Sequence, residues 1–383
     1  MSGSGYGDTA RAALKDVCPA LIELSHRIHA NPEVGYEERQ ASGWLAEALE
    51  QAGFDVQRGA YDMDTALIGA TGSGALHIAI CAEYDALPVV GHACGHNIIC
   101  AASLGAALAL APLVDDIDLR VSLLGTPAEE GGGGKIAFVE GGFFDDVHAA
   151  MMVHPFPAPD AATPSIIAVR QLSVTYQGRA AHAAAYPQHG INAADAIVVA
   201  QTAIALLRQQ LLPSDRIHGI VTKGGDAPNI IPAETRAAFM VRATTRQRMD
   251  EVVALVRRCF EAGALATGAE LDLVEEVAYW DMRHDAQLAA IYRRHAESLG
   301  RTFRDETVSP YSTDMGNVSY VVPAIHPDIG IDAGDAVNHQ AEFAAACATP
   351  SADEAVFDGA LSMALTVIEM ATDDAVRDRL LGR

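Results

Sequence analysis

The segment Gly91-His92-Ala93-Cys94-Gly95-His96-Asn97 places a thiol and an imidazole two residues apart on a glycine-rich turn, directly before an apolar run. Cys and His at that spacing can converge on one metal ion while the backbone is not yet helical, and Gly95 permits the bend. The same segment also reads as a plain helix start with a buried Cys and His. A second segment, Gly125-Thr126-Pro127-Ala128-Glu129-Glu130-Gly131, sets adjacent carboxylates after a strand-like stretch. One carboxylate can turn to a metal while the other serves as general base; a solvated loop is the plainer alternative. The run Gly131 to Lys135 imitates a phosphate loop but fails the G-x4-GK-[ST] pattern, which needs Gly at Glu129 and Ser or Thr at Ile136.

These groups need elements to position them. Val, Ile and Leu-rich segments at Ala66 to Ala70, Leu76 to Cys81, Leu119 to Leu124 and His148 to Val153 alternate with helical patterns, which argues for an α/β sheet covered by helices. Glu83 and Asp85 follow the second of these strands, Glu129 and Glu130 the third, and His154 the fourth; His339 lies in a separate later loop. Ligands gather at the carboxyl ends of strands in open α/β sheets.

From about residue 165 to 276 the pattern changes to strand, helix, strand, strand, helix, strand. Strands are expected at Ile166 to Tyr176, Ile217 to Thr222, Thr235 to Ala243 and Leu271 to Val274, with one helix over Ala193 to Gln210. Met249, Val252, Val253, Val256, Cys259 and Phe260 form the apolar stripe of the other helix. The expected architecture is a mixed α/β catalytic domain, residues 1–164 and 277–383, carrying an inserted small α+β, ferredoxin-like domain, residues 165–276.

Composition narrows the partners. The chain has 383 residues, half of them hydrophobic and a fifth charged, enough for a sizeable core. Its 26 Lys plus Arg against 50 Asp plus Glu give a net charge of -24, which argues against nucleic acid and anionic membranes as partners. The apolar stretch Ile98 to Val114 is interrupted by Gly105 and Pro112 and is shorter than the ~20 residues of a bilayer span, so it reads as a buried helix. No basic stretch followed by an apolar one opens the chain, and the six cysteines are too scattered for a disulfide framework, so the expected compartment is the cytoplasm.

Together these motifs resemble the metal-dependent amidohydrolase and aminoacylase peptidases, a family that includes hippurate, indoleacetyl-amino-acid and aminobenzoyl-glutamate hydrolases. The resemblance begins at His26-Arg27-Ile28-His29-Ala30-Asn31-Pro32-Glu33. It runs through Glu83-Tyr84-Asp85-Ala86-Leu87-Pro88, the Cys94 segment, the Glu129-Glu130 segment, Gly178-Arg179-Ala180-Ala181-His182-Ala183, Ala227-Pro228-Asn229 and Ser312-Thr313-Asp314. The form of the strand-end motifs is most similar to the aminobenzoyl-glutamate hydrolase and dipeptidase-like branch. One departure is Glu83, which stands where many wider relatives have a metal-binding His.

The resemblance implies a pair of divalent ions, Zn or Mn with Co or Ni as further candidates, held by Cys94, His96, Glu130, His154 and His339. It implies Glu129 as general base, Asp85 as the carboxylate orienting a ligand imidazole, and His182 as oxyanion donor delivered across a homodimer by the inserted lid and dimerisation domain. Beside these, Asn229 and Arg242 could hold the substrate's carboxylate, Arg because its planar fork matches that group, with a strand Arg paired to a nearby Glu as the competing account. Ser312, Thr313 and Asp314 are expected to line the cleft, a turn of short polar residues being the plainer alternative. The implied reaction is hydrolysis of a small amide: a dipeptide, an N-acyl amino acid or an aroyl-glutamate. Two rival readings are a metal-free amidase with Cys94 as nucleophile and a silent relative that only binds an amino-acid derivative.

Overall fold

The computed structural model describes residues 3–304 and 310–382. In chain order its strands are β1 (Asp55–Arg58), β2 (Leu67–Thr71), β3 (Leu76–Ala82), β4 (Leu119–Gly125), β5 (Ala149–Met151), β6 (His154–Phe156), β7 (Ala168–Gln177), β8 (Arg216–Lys223), β9 (Glu234–Ala243), β10 (Glu270–Tyr279), β11 (Ala324–Ile325) and β12 (Asp328–Gly330). The helices used below are α1 (Gly3–Ala30), α2 (Arg39–Gln51), α3 (His96–Leu110), α4 (Gly134–Glu140), α5 (Ala193–Leu207), α6 (Arg246–Thr267), α7 (Ala286–Ser298), α8 (Met315–Val318), α9 (Ala341–Ala346) and α10 (Pro350–Thr372).

The chain divides into two units. Residues up to Ser165 and from Met282 onward form one, and Ile166–Asp281 form the other. The expected boundary at residue 276 falls short because β10 continues to Tyr279, past an irregularity between Glu275 and Ala278.

The larger unit is built on a six-stranded sheet of order β1-β2-β4-β3-β5-β11. Strands β4, β3, β5 and β11 are parallel, while β2 runs antiparallel to β4 and β1 to β2. Every residue of β3 is buried, as its nearly unbroken apolar sequence requires of a parallel strand covered on both faces. Helix α3 is apolar all round and packs against α1, α10 and β3. The segments His96–Leu113 and Pro350–Thr372 are apolar enough by composition to cross a membrane, yet 83% and 72% of their windows are buried within the protein. They are core helices of this unit. Of the stretch expected as a strand, His148 to Val153, Ala149–Met151 form β5 in the main sheet; the chain then leaves that sheet, and β6, which begins at His154, pairs in parallel with β12.

The smaller unit is a four-stranded antiparallel sheet of order β10-β7-β9-β8, with α5 and α6 packed together and against its strands. Its βαββαβ succession and strand order give the ferredoxin-like arrangement. The stripe from Met249 to Phe260 is the buried side of α6, whose N-terminus is capped by the Thr245 hydroxyl accepting from Arg248 N–H at 3.2 Å.

Candidate metal centre

Three parallel strands of the larger unit deliver acidic groups and an imidazole from their carboxyl ends, and α3 begins among them. Helix α3 starts after Gly95, whose φ of 79° is left-handed. A Cβ there would lie 2.3 Å from Pro155 Cγ, so only glycine lets the Cys94–His96 turn approach the strand that carries His154. The result brings together residues separated by up to 245 positions.

Cys94 Sγ lies 3.6 Å from His154 Nε2 and 3.7 Å from His339 Nε2. His339 Nε2 is in turn 3.7 Å from Glu130 Oε2. Two triads result, Cys94–His96–His154 and Cys94–Glu130–His339, each with ligand atoms within 4.8 Å of one another. Sulfur is their shared vertex. Tetrahedral ligands roughly 2.0–2.3 Å from an ion stand about 3.3–3.8 Å apart, so these spacings suit residues that would hold divalent ions, with Cys94 common to both sets.

The orientation of each imidazole is fixed from behind. His96 Nδ1 donates to Asp85 Oδ1 at 2.9 Å, and His154 Nδ1 donates to the Pro155 carbonyl at 2.9 Å. Both therefore turn Nε2 into the centre, as metal-binding imidazoles do when their other nitrogen is engaged. His96 Nε2 and Glu130 Oε1 are buried without a hydrogen-bond partner. Unsatisfied buried polar atoms are costly, and here a cation would satisfy them. The residues present fit a pair of divalent ions.

Electrostatics follow the burial. Burial lowers the His154 pKa to about 4, leaving a neutral imidazole ready to coordinate. Burial also opposes charge on His96, but Asp85, Cys94 and Glu83 together outweigh it and hold its pKa well above the ordinary value. Burial, then Glu130, push the Cys94 thiol up. A nucleophilic cysteine needs electropositive surroundings, so this acidic setting gives the Cys94-amidase reading no support. Burial, then Glu83 and Glu130, hold the Glu129 carboxyl above the usual carboxylate range. Glu129 Oε2 lies 3.8 Å from His96 Nε2.

The loop bearing these two glutamates is built with strain. Ala128 has a φ of 58°, outside the region a Cβ favours. Its N–H donates to Glu38 Oε1 at 2.8 Å, and Thr65 holds the other Glu38 oxygen at 2.8 Å. Glu38, fully buried and 90 positions away, was invisible as a site residue: in the sequence it is one glutamate before an amphipathic helix. Lys135 was similarly opaque. Completely buried, it pairs with both Glu83 and Asp314.

The expected substrate contacts are placed differently from one another. Asp314 and Thr313 are out of solvent; Asp314 accepts from Lys135 Nζ at 2.7 Å and Lys135 N–H at 2.9 Å, and Thr313 Oγ1 accepts from Met315 N–H. Asp314 thus holds Lys135 instead of lining an open cleft. In the smaller unit His182 is exposed, its Nδ1 accepting from Ala184 and Ala185 N–H, and it adjoins Asn229 through the Ala183 N–H to Asn229 carbonyl bond of 3.0 Å. Arg242 stands near the far end of β9, opposite Val169 and Arg216. A strand rises about 3.4 Å per residue, so Arg242 and Asn229 do not converge within one chain.

The pattern that defines peptidase family M20/M25/M40 matches residues 79–355, and the chain belongs to that family. It is a metal-dependent hydrolase. Over 381 residues it is 37% identical to the Xaa-Arg dipeptidase of Mus musculus, covering 94% of this chain and 88% of the relative. It is 32% identical over 265 residues to a component of the p-aminobenzoyl-glutamate hydrolase of Escherichia coli, covering 64% of this chain and 55% of that one. Its fold matches a dinuclear metal-binding peptidase of Bacillus subtilis with a TM-score of 0.70 at 20% identity, covering 93% and 99% of the two chains.

Proposed function

We propose that this protein hydrolyses the amide bond of a small peptide-like substrate, a dipeptide in the first place, with N-acyl amino acids and aroyl-glutamates as the neighbouring chemistry. The observation that carries the reading is the position of Glu129, beside Glu130 and 3.8 Å from His96 Nε2, at the edge of a donor set suited to two divalent ions. Similarity to the Xaa-Arg dipeptidase over nearly the whole chain supports the dipeptide.

Bound Zn or Mn would supply Lewis acidity and bring the pKa of water from 15.7 to about 7. Glu129 accepts the proton of the attacking water and passes it to the departing amine, a role its raised pKa suits. Asp85 keeps the His96 ring in place throughout. His182, exposed on its loop, stabilises the oxyanion from a second copy of the chain, and the working form is a cytoplasmic homodimer. Removing metal with a chelator, restoring Zn, Mn or Co, and assaying dipeptides with basic or neutral C-terminal residues beside N-acyl amino acids and aminobenzoyl-glutamate tests the reading. Activity that survives complete metal removal would overturn it.

A further inference from the structure

Glu83 has no role in the reaction just described. It follows β3 directly, is wholly out of solvent, and its two oxygens are used unequally. Oε1 pairs with the Lys135 ammonium. Oε2 has no hydrogen-bond partner and lies 3.5 Å from His96 Nε2, which has none either. An acceptor buried in this way forfeits the hydrogen bonds water would give it. Two such atoms facing each other mark a place where a positive charge belongs. Glu83, His96 and Glu129 each offer a ligand atom within 4.8 Å of the others.

The charge around them points the same way. Five carboxylates, Glu83, Asp85, Glu129, Glu130 and Asp314, surround the centre at 14% side-chain exposure or less, with Lys135 the ammonium among them. Uncompensated charge in a buried site is strongly destabilising, and two divalent cations would neutralise the excess. Lys135 is immobilised at both ends, because Asp314 accepts from its ammonium at 2.7 Å and from its backbone N–H at 2.9 Å. It therefore grips Glu83 Oε1 from a fixed position and leaves Oε2 turned toward His96.

We infer that Glu83 is a further cation-binding carboxylate of this centre, presenting Oε2 beside His96 Nε2, and that Lys135 is a positioning residue that aims it. The inference rests on the two-ion reading above and adds to it a ligand and the lysine behind that ligand.

The test is cobalt(II) titration of the metal-depleted full-length protein, followed by visible absorption and by bound metal per chain. Glu83→Gln keeps the side-chain shape and an acceptor for Lys135, and is expected to weaken one of the two bound equivalents roughly 10- to 100-fold while sparing the other. Lys135→Met should weaken the same equivalent, Lys135→Arg should recover part of the loss, and the double variant Glu83→Gln/Lys135→Met should be no weaker than the worse single one. Wild-type binding by Glu83→Gln overturns the inference alone; wild type that takes up no cobalt overturns the two-ion reading with it. Should the variants not fold, cobalt-loaded wild-type crystals decide by anomalous scattering. An ion about 2.0–2.2 Å from Glu83 Oε2 supports the assignment, and ions beyond coordination distance overturn it.

Discussion

Asp85 ties His96 to the loop of Glu130: its Oδ1 accepts from His96 Nδ1 at 2.9 Å, and its Oδ2 accepts from the Glu130 N–H, also at 2.9 Å. One buried carboxylate thus sets the distance between an imidazole at the start of α3 and a carboxylate beyond β4. Burial opposes its ionisation, but His96 and the Glu130 N–H outweigh that and hold its pKa below the ordinary value. The charged, double-accepting form is the one that braces the site.

Glu129→Gln keeps the shape of the side chain and removes its ability to carry the proton. Turnover is expected to fall by about 10²–10⁴-fold, with bound metal and thermal stability unchanged. Steady-state kinetics with elemental analysis check this; near-wild-type turnover would remove Glu129 from the proton path.

His182→Ala is expected to lower kcat by about 10²–10³-fold, the effect of losing one oxyanion donor, without changing metal content. If the side chain acts across a dimer, mixing this variant with Glu129→Gln under subunit exchange should regenerate about a quarter of wild-type turnover from two inactive proteins, because each mixed dimer with two-fold symmetry contains one intact site. A mixture as inactive as its parts would contradict the shared-site arrangement.

Gly95→Ala introduces a Cβ 2.3 Å from Pro155 Cγ on a backbone with φ 79°. The expected cost is about 1–3 kcal/mol of stability, with weaker metal binding because Cys94 and His96 on either side are both proposed ligands. Urea unfolding and metal titration of the variant measure the two effects. A variant as stable as wild type would show that the turn can move away from Pro155.

A pH effect is expected away from the metal centre. His77 is buried between Ser122, 2.9 Å from its Nε2, and the Asp146 carbonyl, 3.2 Å from its Nδ1, with Arg120 and His148 among the charged or titratable neighbours. Burial, then Arg120, lower its pKa to about 4 from 6.5. The unfolded chain therefore takes up a proton below pH 6.5 that the folded chain refuses, so stability falls as pH drops toward 4. Between pH 7 and 4 the loss reaches up to about 3 kcal/mol at 1.36 kcal/mol per pH unit. In His77→Gln this contribution is absent, so the stability difference between wild type and variant should shrink by that amount over the same range. Parallel stability curves would refute the assignment.

Much of this was legible because hydrophobic runs mark the main strands and motif residues follow their ends. Strands β3 and β4 and the stripe on α6 carry strong local patterns. β11 and β12 are two and three residues long, too short for a period to register. The departure of β6 from the main sheet depends on β12, which lies more than 170 positions later. Roles created by distant partners were equally hidden: Glu38 acquires its function from Ala128 and Thr65, and Asp314 from Lys135. Side-chain type alone announces a carboxylate but not which of its oxygens is already occupied.

His339 differs from the other donors in exposure. Its side chain is 58% accessible, whereas those of His96 and Glu130 are 0% and 14%. It also sits at a φ of 70°, secured by its N–H to the Ala93 carbonyl at 2.8 Å. The half of the centre formed by Glu130 and His339 is thus the doorway, and the half behind Cys94 is the inner room. An ion held in the doorway would exchange with solution faster than one held behind Cys94, so brief chelation should yield a singly loaded protein before an empty one.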